Sequence, residues 1–116
     1  MPADVIFVYG TLRSEFSGEY ALLLRANAEL LGPATVRGSI YRVEHYPAFR
    51  ERPDGVVHGE IYRLREAEPI LARLDDYEGD EFERVRIGEW WIYRFSGAVS
   101  EERRIESGDF LEASAG

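Results

Sequence analysis

The stretch VIFVYGTLR, Val5 to Arg13, decides the fold. Val5 to Tyr9 is a nearly unbroken apolar run, apolar on both faces, which reads as a strand in the middle of a sheet. Gly10 ends the run, and Thr11 and Arg13 then add a hydroxyl and a cation. A glycine there lets the backbone turn sharply or lie close against a ligand. Successive N–H groups in such a turn form a nest for an anion. Two readings stand side by side on these residues alone. One is a strand-ending turn with a surface arginine; the other is a site for a small carboxylate.

Working outward, Ser14 and Glu15 are placed to open a helix that runs on through Leu22, Leu23, Arg25 and Ala26 and stops by Gly32-Pro33. Val36 to Tyr41 and Val57 to Leu64 alternate as strands, with glycines at 38 and 59 that allow a bend or a close approach. Glu44 to Gly55, with two prolines, reads as a loop. Glu66 to Tyr77 is the clearest helix. Pro69 falls in its first turn, Ile70, Leu71, Leu74 and Tyr77 form its stripe, and Gly79 follows as a stop. Phe82 to Ile87 and Glu89 to Phe95 read as two strands around Gly88, the second apolar on both faces and therefore central. Arg104 to Glu106 adds a short edge strand. Five or six strands with one good helix predict an α+β domain, a strongly curled sheet or small mixed β-barrel flanked by helices. The length of 116 residues fits one domain, 1–116, with a structured core of about 4–111.

Composition narrows the function. There is no cysteine, which excludes disulfides, thiolate catalysis and Cys-ligated zinc. A formal net charge of -8 repels a phosphate backbone, so nucleic acid is not the expected partner. No apolar run approaches the roughly 20 residues of a membrane helix. The first residues, MPADVIFV, lack the basic-then-apolar order of a signal peptide, so the expectation is a cytoplasmic protein with no membrane partner. His45 and His58 have no metal-ligand spacing, and no Gly-x-Gly-x-x-Gly fingerprint supports a dinucleotide. No metal or organic cofactor is expected. Nothing in the sequence speaks to oligomeric state.

A second chemical signal lies in LARLDDYEG, Leu71 to Gly79. Glu78 falls seven residues after Leu71 and four after Leu74, on the face the helix buries. A carboxylate there is either aimed into a cleft or left solvated where the helix frays. In a cleft, burial, the negative helix end and the neighbouring acids Asp75, Asp76, Asp80 and Glu81 all raise its pKa. Such a group can take a proton and return it near neutrality. The four neighbouring acids themselves read as a solvated turn.

Six segments in register then resemble one family. They are YGTLR at 9–13, GSIYRV at 38–43, YPAF at 46–49, VHGEIYRL at 57–64, LARLDDYEG at 71–79 and SGDF at 107–110. Together they resemble the gamma-glutamylcyclotransferase-like superfamily, nearest its short bacterial members and the gamma-glutamylamine cyclotransferases. The resemblance implies a small mixed β-barrel flanked by helices and a cofactor-independent enzyme acting on a small gamma-glutamyl amide. It places substrate binding at Tyr9, Gly10, Thr11 and Leu12, with Arg13 adjacent, and the catalytic acid/base at Glu78. It implies attack of the substrate's α-amine on its own γ-carbonyl, releasing 5-oxoproline and an amine. Where many members carry Tyr-x-Arg, this chain has Phe82, Glu83, Arg84, so one hydroxyl is missing. The alternative is a non-catalytic module that binds a small carboxylate metabolite. The enzyme reading requires Glu78 to meet the cleft formed by Gly10, Thr11 and Leu12, far away in sequence.

Overall fold

A computed structural model describes residues 5–10, 12–13, 16, 18–44 and 46–111. Its elements run β1 (Val5–Val8), α1 (Glu19–Asn27), β2 (Ala28–Arg37), β3 (Ser39–Val43), β4 (Tyr46–Arg50), β5 (Val56–Leu64), α2 (Ala67–Glu78), β6 (Phe82–Ile87) and β7 (Trp90–Phe95). A 3₁₀ turn follows at Glu101–Arg103. Five strands form one sheet in the order β2-β5-β1-β7-β6, and β3 and β4 pair separately. β1 is the middle strand, antiparallel to β5 and parallel to β7. Its apolar residues supply both faces, as a central strand requires. Ile6 and Val8 pack with Leu24 of α1 and Leu71 and Leu74 of α2. Phe7 and Tyr9 pack with Ile40 of β3 and Phe49 of β4 on the other side. The helices therefore cover one face and the β3–β4 hairpin the other.

The architecture is α+β, but the expected barrel is not closed. The strand order ends at β2 and β6, which do not pair with each other among the described residues. The hairpin buries the Phe7/Tyr9 face by packing against it, so that face is covered without closure.

Other differences have local causes. The first helix stops at Asn27, and residues 28–37 instead pair along β5 as β2. Long-range pairing there overrides the local pattern. The expected strand 36–41 is split at Gly38, whose φ is +156° and whose added Cβ would lie 2.5 Å from the Phe49 ring. The expected loop 44–55 contains β4, paired with β3 from Val43↔Tyr46 to Ser39↔Arg50. Pro47 is tolerated because β4 is an edge strand. The edge strand expected at 104–106 reduces to one bridge between Tyr41 and Arg104. Ile87 pairs with Trp90, so the β6–β7 turn is Gly88-Glu89, with Gly88 at φ +62°.

Gly59 of β5 shows how tightly the centre is built. A Cβ there would stand 2.2 Å from the Val8 carbonyl oxygen and 2.7 Å from the Phe7 ring. Gly59→Ala must push β1 from β5. It is expected to lower the unfolding free energy by about 1–3 kcal/mol in urea titration. An unchanged midpoint would mean that the two strands separate freely.

Candidate active site

β1 ends at a fixed point because Tyr9 is tied on two sides. Its buried hydroxyl donates to the Tyr93 carbonyl of β7 at 2.7 Å and accepts from the Phe49 N–H of β4 at 3.3 Å. Gly10 then passes the hairpin so closely that a Cβ would lie 2.8 Å from Cγ of Pro47. The chain turns at once, with the Arg13 N–H donating to the Gly10 carbonyl at 3.1 Å.

A cavity of about 470 Å³ opens at this turn. Tyr9, Gly10 and Leu12 form one wall, and Tyr77 and Glu78 at the end of α2 another. Glu44, Tyr46 and Pro47 come from the hairpin, and Glu81, Phe82 and Tyr93 from the β6–β7 side. The structure thus brings Glu78 to the same cavity as Tyr9, Gly10 and Leu12. Thr11 lies outside the described residues, as does His45.

Arg13 is not on the lining. Its guanidinium is buried behind the turn, donating to Asp109 Oδ1 at 3.0 Å and to the His58 carbonyl at 3.4 Å. Asp109 also accepts the Leu111 N–H at 3.0 Å. The SGDF segment therefore anchors the turn from outside. Sequence reasoning treated Arg13 as a cation for the ligand and assigned Asp109 no role. An acid in a quoted segment with no assigned chemistry was the available signal.

α2 delivers Glu78 because Ile70, Leu71 and Leu74 are buried on the same stripe. Tyr77 turns away from that stripe, 41% exposed, and stacks on Tyr20 with centroids 4.6 Å apart. Gly79 stops the helix at φ +80°, its N–H donating to the Asp75 carbonyl. Burial, and then the charge of Asp75 one turn earlier, push the Glu78 carboxyl up to about 7.

Asp75 itself goes the other way. Burial pushes it up, but hydrogen bonds from Arg84 and Tyr93 and the Arg84 charge outweigh that and hold it below the usual carboxylate range. Arg84 donates Nε to Oδ1 at 2.8 Å and Nη2 to Oδ2 at 3.2 Å, a fork onto both oxygens. The Tyr93 hydroxyl donates to Oδ1 at 2.6 Å. The Arg84 guanidinium carbon also lies 4.4 Å from the centroid of Trp91. The solvated acidic turn expected at 75–81 is therefore wrong for Asp75, while Asp76 and Asp80 are exposed. Among the described residues, no three His, Asp or Glu side chains are grouped to hold a metal ion. No helix among them is long and apolar enough to cross a membrane.

Residues 6–112 match the gamma-glutamyl cyclotransferase, AIG2-like family. The chain belongs to that family. The Escherichia coli K12 gamma-glutamylcyclotransferase family protein YtfP is 37% identical over 114 aligned positions, covering 92% of this chain and 96% of YtfP. The solution structure of E. coli YtfP superposes with a TM-score of 0.69 at 33% identity, over 95% of this chain and 98% of that one. A crystal structure of an uncharacterized protein from Pyrococcus horikoshii gives a TM-score of 0.77, over 96% and 92% of the two chains. At 23% identity that likeness speaks for the fold alone. As a gamma-glutamylcyclotransferase family member the protein is an enzyme, and its activity class is cyclotransfer.

Glu78 should also be visible in stability. Its folded pKa of about 7 lies above the ordinary 4.5, so its contribution is fully present below pH 4.5 and is lost as pH rises through 7. Glu78→Gln carries no charge to desolvate. The variant is expected to be more stable than wild type at pH 8, by up to about 3 kcal/mol, with the difference shrinking toward pH 5. Denaturant midpoints at the two pH values measure it, and equal midpoints at pH 8 would contradict a desolvated Glu78.

Proposed function

We propose that the protein converts a small gamma-glutamyl amide to 5-oxoproline and a free amine, with Glu78 moving the proton. The observation that carries this reading is the position of Glu78. A carboxyl with a pKa near neutrality shares a cavity with the backbone turn at Tyr9-Gly10. A gamma-glutamyl amide carries its nucleophile, the α-amine, in protonated form at neutral pH. The Glu78 carboxylate takes one proton from it. The freed nitrogen attacks the γ-carbonyl carbon, and a five-membered ring closes with negative charge on the carbonyl oxygen. The ring nitrogen then gives up its second proton and the intermediate collapses by breaking the bond to the leaving nitrogen, which takes the proton held by Glu78 together with the one released from the ring and departs as an ammonium. No water is consumed. The enzyme's task is to hold one molecule in a reactive shape, which is where intramolecular reactions gain most of their rate.

The turn after β1 serves this scheme as the carboxylate holder. Backbone N–H groups around Gly10, Thr11 and Leu12 would face the α-carboxylate, and Tyr9 would fix where the turn begins. Arg13 contributes from behind the loop, since its guanidinium is committed to Asp109. Burial first, and then the negative charge of Asp75, keep Glu78 basic enough to accept the ammonium proton. Phe82 brings no hydroxyl to the cavity, and the nearest ring to it from the hairpin is Tyr46, at 5.7 Å between centroids.

Glu78→Gln keeps the shape but cannot accept the proton. It is expected to reduce 5-oxoproline release from gamma-glutamyl amides by about 10²–10⁴-fold, followed by chromatography. Asp75→Asn removes the charge that helps lift Glu78. It should move the acidic limb of the kcat/KM profile below pH 7. Wild-type rates in Glu78→Gln, or an unmoved limb in Asp75→Asn, would contradict these roles.

A further inference from the structure

Residues 107–111, SGDFL, line no part of the described cavity, yet they fasten the turn that does. This strap is itself fixed to β5. The Gly108 carbonyl accepts the His58 N–H at 2.8 Å. Gly108, at φ +69°, lies so close to the strand that an added Cβ would stand 1.9 Å from the Val56 carbonyl oxygen. The Ser107 Oγ accepts the Asp109 N–H at 3.2 Å, which closes the bend that presents Asp109. Asp109 Oδ1 then receives two donors, the Leu111 N–H and Arg13 Nη1, each at 3.0 Å. Beside it Phe110 stacks on Phe16, with centroids 6.1 Å apart, and is buried in the cluster around Phe7 and Tyr9. The strap therefore grips the chain beyond β1 at two points, Arg13 and Phe16. The Gly10 turn lies between the first of them and the strand end that Tyr9 fixes.

Two features give the grip on Arg13 a use beyond stability. The Arg13 side chain is 9% exposed and that of Asp109 28%. An ion pair buried to this degree gives up hydration that its attraction barely repays, so apolar contact would stabilise the fold as well; what the pair adds is a fixed direction. The same residue also closes the turn through its backbone. The Arg13 N–H donates to the Gly10 carbonyl at 3.1 Å, and the Phe16 N–H donates to the Arg13 carbonyl at 3.0 Å. A displaced guanidinium thus displaces the residue that shapes the turn.

We propose that Asp109 is a positioning residue for substrate binding: acting through Arg13, it sets the turn that holds the α-carboxylate, and so governs affinity for the glutamyl head rather than proton transfer at Glu78. The inference rests on the cyclotransfer reading above for the identity of that head. The α-carboxylate takes no part in bond making. It is the same group in the gamma-glutamyl amide, in the ring-closed intermediate and in 5-oxoproline. A turn that binds it holds all three alike, so loosening the turn raises KM and leaves kcat in place.

The test compares the purified full chain with Asp109→Asn, by calorimetry with 5-oxoproline and by turnover of gamma-glutamyl amides. In the variant the Kd for 5-oxoproline should weaken about tenfold and KM should rise by the same factor, with kcat within about twofold of wild type. Partial misfolding gives the opposite split, because the folded fraction binds normally: kcat falls and KM stays. Asp109→Glu keeps the charge on Arg13 and so guards against a variant that does not fold. Its longer side chain displaces the pair, and it should show the same split at smaller size. Arg13→Gln/Asp109→Asn should bind no more weakly than Asp109→Asn alone, since the two residues act as one unit. Unchanged Kd and KM in both Asp109 variants, or a double variant much weaker than the single one, would overturn the role of Asp109 and leave the cyclotransfer standing. No turnover by the wild type would overturn the cyclotransfer. The 5-oxoproline arm then decides for Asp109 by itself: weaker binding in Asp109→Asn supports the role, and equal binding or none overturns it.

Discussion

One phenolic oxygen holds the site in place. The Tyr9 hydroxyl gives its proton to the Tyr93 carbonyl and receives the Phe49 N–H, so it joins the end of β1 to β7 on one side and to β4 on the other. These are buried backbone groups, and leaving either unpaired costs about 1–3 kcal/mol. The sheet and the hairpin are therefore registered against each other at the point where the chain leaves β1. Tyr93 carries the connection further, because its own hydroxyl grips Asp75 on α2. The last turn of α2, and Glu78 with it, is thus referenced to the same strand that places the Gly10 turn.

The two carboxylates of that last turn divide the work between them. Asp75 receives three hydrogen bonds and stays ionised, whereas no described group pairs with the Glu78 carboxylate as directly. Desolvation and the fixed charge of Asp75 then raise Glu78 to about 7. Pushing two neighbouring acids apart in this way lets one serve as a fixed charge and the other as a proton carrier. The family assignment gives cyclotransfer as the activity class, and a carboxyl raised toward neutrality suits the proton carrier of the proposed scheme.

The elements legible in the sequence are those whose patterns are local. β1 reads from its apolar run, α2 from its stripe and its glycine stop, and β6 and β7 from their alternation around Gly88. β2 and β4 were not legible, because their strand state comes from partners far along the chain. Residues 28–37 lie along β5, and Tyr46–Arg50 along β3 despite a proline. The closed barrel failed for the same reason, since whether two edge strands meet is a property of the whole sheet. At the site, the spacing from Leu71 and Leu74 was enough to put Glu78 on the buried face. The Asp75–Arg84–Tyr93 network and the Arg13–Asp109 pair needed the tertiary structure, because their members come from separate elements.

The proposed chemistry depends on a desolvated, proton-exchanging Glu78 at the end of α2. The most direct measurement is a carbon-13 NMR titration of its side-chain carboxyl in the substrate-free protein, assigned by comparison with Glu78→Gln. A desolvated Glu78 is expected to give a midpoint near pH 7. A midpoint near the ordinary value of 4.5 would mean that Glu78 is solvated and would contradict its role as the proton carrier.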